Sequence, residues 1–160
     1  MNSPKFVALK DKPGWARSEL AEDRHAIEDR AKSLNLNRPP GTYFVCGHLA
    51  DDNRHHLYRI ETGDALEIVR AFRVGTHAAS YVPGANSEVI EELALVHSRN
   101  PIVPFFADVA GLKCTFERPI EREFADFLDD VIAGGIEAYA DEGCIAPIVM
   151  RDGYLQLWWD

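Results

Sequence analysis

Long apolar runs are missing from this chain of 160 residues. No stretch approaches the ~20 apolar residues that a membrane-spanning helix needs, so a helical membrane span is excluded. A cleavable leader is not expected either, because the run Phe6-Val7-Ala8-Leu9 is far too short and is bounded by Lys5 and Lys10. Cysteine is scarce. Cys46, Cys114 and Cys144 are far apart and lack C-x-x-C spacing, which excludes a disulfide framework and fits a reducing compartment with the thiols as small buried hydrophobes. We therefore expect a cytoplasmic protein.

Catalytic signatures are absent as well. No nucleophile elbow, phosphate loop, dinucleotide fingerprint or zinc-protease pattern occurs, so neither a catalytic Ser or Cys nor a cofactor is expected. Basic charge is what the second half lacks. Residues 1–84 hold 12 Lys/Arg against 11 Asp/Glu, whereas residues 85–160 hold 5 against 15, and the net charge is −9. Nucleic acid and anionic membranes are unfavourable partners for such a surface, while a basic protein is steered toward it.

What is present is apolar content of 46%, enough for one domain's core without staples. We expect an irregular segment over residues 1–14 and a single domain over 15–160. Helix formers with a narrow apolar stripe predict a helix from Trp15 to Leu36, stopped by Arg38-Pro39-Pro40-Gly41. Thr42–Leu49 and His55–Glu61 predict a hairpin. Leu66–Val74 alternates imperfectly between turn residues and is assigned to a strand. Asn86 or Ser87 caps a helix running to about Ser98, and Ile102–Phe106 and Leu112–Phe116 are short strands, with Pro104 marking an edge or a bulge.

Ile120, Phe124, Phe127, Leu128, Val131 and Ile132 give a clean amphipathic register after Pro119, closed by Gly134-Gly135, and a helical turn is expected over 136–141. The run from Ile145 to Met150 and the run from Tyr154 to Trp159 flank Asp152-Gly153, which predicts a C-terminal β-hairpin with a type I′ turn. Its alternation sends Trp158 and Trp159 to opposite faces. The fold class that follows is α+β, a largely antiparallel sheet with helices packed on one face.

Four clusters could carry chemistry. Glu123, Asp126, Asp129 and Asp130 line one side of the amphipathic helix, and carboxylates toward its C-terminus oppose the helix dipole at about 0.3–1 kcal/mol each, which invites a cationic partner. Cys46, His48, His55 and His56 flank the first hairpin. Their spacing does not fit structural zinc, and His55 and His56 alternate to opposite faces, so no metal is expected. Arg70, Arg73 and His77 lie in a polar, small-residue stretch of the kind that forms ligand loops. Glu121-Arg122-Glu123 has the E-x-E spacing seen in ADP-ribosyltransferases, although here it begins a helix where those pairs lead into a strand.

At Val74-Gly75-Thr76, at the helix after Pro119 and above all at Leu157-Trp158-Trp159-Asp160, the second half resembles a bacterial domain-of-unknown-function family whose members end in L-W-W-D. The Cys-Pro-Asp of that family's penultimate helix is replaced here by Ala133-Gly134-Gly135. The resemblance implies a small cytoplasmic α+β domain and no activity. In type the chain is also similar to immunity proteins of bacterial toxin systems, which are small, acidic, single-domain and without a catalytic motif.

The function expected from the sequence is a non-catalytic acidic binding protein. Glu123, Asp126, Asp129 and Asp130, with Trp158 or Trp159 as aromatic anchor, would engage a basic protein partner such as a toxin to be neutralised. The alternative is an enzyme of transferase type acting on a nucleotide or NAD-like substrate, with Arg70, Arg73 and His77 around a pocket and Glu121 or Glu123 as base.

Overall fold

The computed structural model describes residues 4–19, 22–49, 52–76, 85–132 and 145–158. In chain order, strands β1 (Phe6–Ala8) and β2 (Trp15–Ser18) precede helix α1 (Arg24–Asn35). A hairpin of β3 (Thr42–Gly47) and β4 (His56–Glu61) leads into α2 (Leu66–Ala71) and α3 (Ala85–Arg99). A second hairpin of β5 (Ile102–Ala107) and β6 (Gly111–Phe116) is followed by α4 (Arg122–Ile132), α5 (Ala146–Asp152) and β7 (Leu155–Trp158).

The seven strands form one sheet in the order β1-β2-β4-β3-β5-β6-β7. Each neighbouring pair is antiparallel except β3 with β5. Two antiparallel halves, β1-β2-β4-β3 and β5-β6-β7, are thus joined by a single parallel ladder. That ladder is short, pairing Cys46 with Phe106 and Gly47 with Ala107. Two residues upstream, Pro104 has no N–H to give, and the register of β5 against β6 shifts between Pro104 and Phe106.

Asn35, the last residue of α1, fills this gap. Its amide nitrogen donates to the carbonyls of Phe44 (2.8 Å) on β3 and Pro104 (3.2 Å) on β5, and its Oδ1 accepts from the Phe44 N–H (2.8 Å). One buried carboxamide therefore replaces the ladder bonds that a proline denies.

Strand alternation divides the core into two layers. Tyr43, Val45, Tyr58, Ile60, Leu112, Cys114, Leu155 and Leu157 point to one face of the sheet, where Ile68 of α2, Leu93 of α3, Leu128 of α4 and Val149 of α5 cover them. On the other face Cys46, Leu57, Phe105 and Phe106 pack under Ile27 and Ala31 of α1, with Phe44, Tyr154 and Trp158 at the margin. The α+β class and largely antiparallel sheet stand. The helices, however, cover both faces rather than one.

Four local expectations are corrected. Phe6–Ala8, expected to be irregular, pair with β2 as an edge strand. The helix expected from Trp15 starts only at Arg24, because Asp23 caps it by accepting the Ala26 N–H and Trp15–Ser18 gain sheet partners on both sides. Leu66–Val74 is helical at its start, since Leu66, Ile68 and Val69 bury one helical face and Asp64 accepts the Leu66 N–H; Arg73, at φ 55°, ends that turn.

The fourth concerns the C-terminal hairpin. Its second arm exists as β7, but its partner is β6, and the first arm is helix α5. Asp129 accepts the N–H groups of Ile145 (2.5 Å) and Ala146 (3.2 Å), Pro147 occupies the first turn, and Gly153 at φ 77° ends the helix. Asp152-Gly153 is thus a helix C-terminus rather than a type I′ turn. The glycine pair after α4 and the turn expected over 136–141 lie outside the described residues.

Asn35→Ala should lower stability by about 3 kcal/mol, since it leaves the buried Pro104 carbonyl and the partly buried N–H and carbonyl of Phe44 without their partner. Urea denaturation at constant m-value checks it. A change below ~0.5 kcal/mol would show that the β3–β5 ladder holds without the carboxamide.

Candidate functional site

The carboxylates singled out on α4 divide by role. Glu123, Asp126 and Asp130 are exposed, whereas Asp129 is committed to the start of α5. Helix α3 packs beside α4 and presents Glu88 and Glu91 to solvent. Glu92 is half-buried with Oε2 unpartnered, and burial, with the nearby charge of Glu88, pushes its carboxyl above the usual range. Like charges at i and i+4 destabilise a helix, so this surface is not tuned for the stability of the chain alone. Two arginines temper it: Arg122 pairs with Asp126 (3.2 Å), and Arg99 lies over the Phe127 ring (4.2 Å).

Trp158 does not join that surface. It is half-buried on the α1 face, with the Arg24 guanidinium 5.9 Å from its ring, and it fits only because Gly111 has no Cβ, which would meet the ring at 2.7 Å. The sheet lies between this indole and α4. Trp159 lies outside the described residues.

Among the described residues the alternative catalytic set is not brought together either. Arg70 is exposed on α2 and tied to Glu67 (2.6 Å) and Asp64 (3.7 Å), and Arg73 is exposed at the end of that helix. Glu121 precedes α4 and lines a hollow of about 290 Å³ with Arg99, Asn100 and Arg118, in which Arg70 and Arg73 take no part. Glu123 is exposed, and His77 lies outside the described residues.

Histidines and charges do gather on the α1 face of the sheet, around the carboxyl ends of the parallel strands β3 and β5. His55 Nε2 lies 2.9 Å from Asp108 Oδ2. Asp108 sits in the β5–β6 turn, where its Oδ1 accepts the N–H groups of Ala110 and Gly111, both at 2.8 Å. Burial pushes this carboxyl up, but the bonds from His55, Ala110 and Gly111 outweigh that and hold it below its ordinary value. An ionised carboxylate only accepts, so the proton of the pair is on His55 Nε2.

The ring of His55 stacks on Phe106 (5.6 Å), and the ring of His48 lies 5.4 Å away. The N-terminal part of α1 closes the cluster: Glu28 accepts from Lys113 (2.5 Å) and lies 3.6 Å from Arg24, and both cations approach the Phe106 ring.

His56 points to the opposite face, as the alternation predicts. Burial pushes its imidazole pKa down, and its Nε2 stands 4.0 Å from Asp52. Asp52 in turn binds Arg17 (2.6 Å) and the Tyr58 hydroxyl, closing the β3–β4 connection. Among the described residues no group of three or more His, Cys, Asp or Glu is placed to hold a metal ion.

The sequence marks His48 and His55 but not Asp108, which follows 53 residues later; the readable signal is Asp108 three residues before Gly111, a turn signature. No protein-family model matches the chain, nor does any curated protein or solved structure.

Asp108→Asn should cost about 1.5–3 kcal/mol at pH 6, the range for hydrogen bonds to a charged group. Because the folded-state pKa is depressed, the carboxylate's contribution is complete above the unfolded value of about 3.9 and is lost as pH falls through the lower folded value. The gap between wild type and variant should therefore shrink at pH 3; an equal gap at both pH values would contradict the pairing. Burial pushes the Cys46 thiol up to about 12 and the Cys114 thiol higher still, so site-resolved mass spectrometry should find neither alkylated by iodoacetamide in the folded protein at pH 7.5.

Proposed function

We propose that this chain is an acidic protein-binding domain whose α3–α4 side engages a basic protein, and that the partner is a toxin it neutralises. The observation that supports this reading is the set of exposed carboxylates on two neighbouring helices, Glu88 and Glu91 on α3 with Glu123, Asp126 and Asp130 on α4. The repulsion between Glu88 and Glu92 adds to it, because a cationic partner would supply a counter-charge that the described residues do not place beside them. This surface carries no catalytic step, and Asp129 and Trp158 belong to the fold rather than to the contact. Free, buried Cys46 and Cys114, and the lack of any described helix long and apolar enough to cross a membrane, are in keeping with a cytoplasmic setting for the encounter.

The test takes the products of the genes adjacent to this chain's gene and compares their affinity for wild type and for the triple variant E91K/E123K/D130K. The expected loss is about tenfold or more, and the wild-type affinity should fall as salt rises. Equal binding by the charge-reversed protein, or affinity indifferent to salt, would remove the reading.

A further inference from the structure

The His55–Asp108 cluster lies on the opposite side of the sheet from the acidic helices, and the binding reading makes no use of it. Its geometry has three parts. Asp108 is fixed by two backbone N–H groups and holds His55 through Nε2. His55 Nδ1 has no hydrogen-bond partner among the described residues and is not buried; the side chain keeps 23% of its surface exposed. His48 stands ring to ring beside it. A carboxylate that fixes the tautomer of an imidazole while the other nitrogen faces solvent is the arrangement of a general base.

We propose that His55, positioned by Asp108, is a general base that activates water for hydrolysis of small, uncharged carboxylic esters. The surroundings select that substrate class. Arg24 and Lys113 are both committed to Glu28, and the Asp108 carboxylate held against His55 disfavours an anionic substrate there. Cys46 is buried with its thiol protonated, which leaves water as the nucleophile.

In the reaction the water oxygen bonds to the acyl carbon while His55 Nδ1 takes its proton. The bond from acyl carbon to leaving oxygen then breaks, and His55 returns the proton to the departing alkoxide, giving one acid and one alcohol.

Steady-state hydrolysis of p-nitrophenyl acetate by the full chain tests this. Wild type should show saturable turnover above that of free imidazole at six equivalents, matching the six histidines. His55→Gln should lower kcat/KM about a hundredfold, and Asp108→Asn should lower kcat with little change in KM. His55→Gly should recover rate when imidazole is added. His55→Gln leaves Asp108 its two backbone bonds, so with an unchanged melting temperature it decides the matter. Wild-type turnover no faster than free imidazole, or a His55→Gln variant as fast as wild type, overturns the proposal and leaves the binding surface unaffected.

Discussion

The structure depends on one carboxamide. The two antiparallel halves of the sheet meet along β3 and β5, and the strand that enters this meeting from the C-terminal half carries a proline where a donor is required. Asn35 spans the deficit by binding the carbonyls of both strands and one N–H. Since it is the last residue of α1, the same bonds fix where that helix lies, and so which face of the sheet it covers. Leu57, Phe105 and Phe106 are sealed beneath it in consequence.

Fixing α1 in turn builds the polar end of that face. Its N-terminal part carries Arg24 over Phe106 and pairs it with Glu28, and the parallel pairing of β3 with β5 brings His48, His55 and Asp108 to one rim. Antiparallel neighbours place strand ends of opposite sense side by side, whereas a parallel pair delivers two carboxyl ends to the same place. Helices α2 to α5 take the other face, and there Glu88 and Glu91 on α3 and Glu123, Asp126 and Asp130 on α4 are exposed. The two proposed surfaces thus have the sheet between them.

Much of the fold is readable from local pattern. The hairpin of β3 and β4, the strands β5 and β6, the bulge at Pro104 and the amphipathic helix α4 follow from alternation, helical spacing and turn residues that act over a few positions. The errors share a cause. Leu66–Ala71 and Ala146–Asp152 are short apolar runs buried on the sheet, and over six or seven residues a buried helix and a buried strand show nearly the same composition. Trp15–Ser18 reads as helix because its strand partners come from distant residues.

The candidate sites divide along the same line. Exposed carboxylates on α3 and α4 are legible because helical spacing alone puts them on outer faces. Asp129 could not be separated from them, since its partners, the N–H groups of Ile145 and Ala146, meet it only through the packing of α5 on α4. By itself the sequence determined the elements whose signals are local, and the sign of the charge on the second half. Tertiary structure alone decided that Asn35 closes the seam, that Trp158 faces α1 and that Asp108 holds His55. Each of these joins residues far apart in the chain, and hydrogen bonds and packing across such separations leave no period in the sequence.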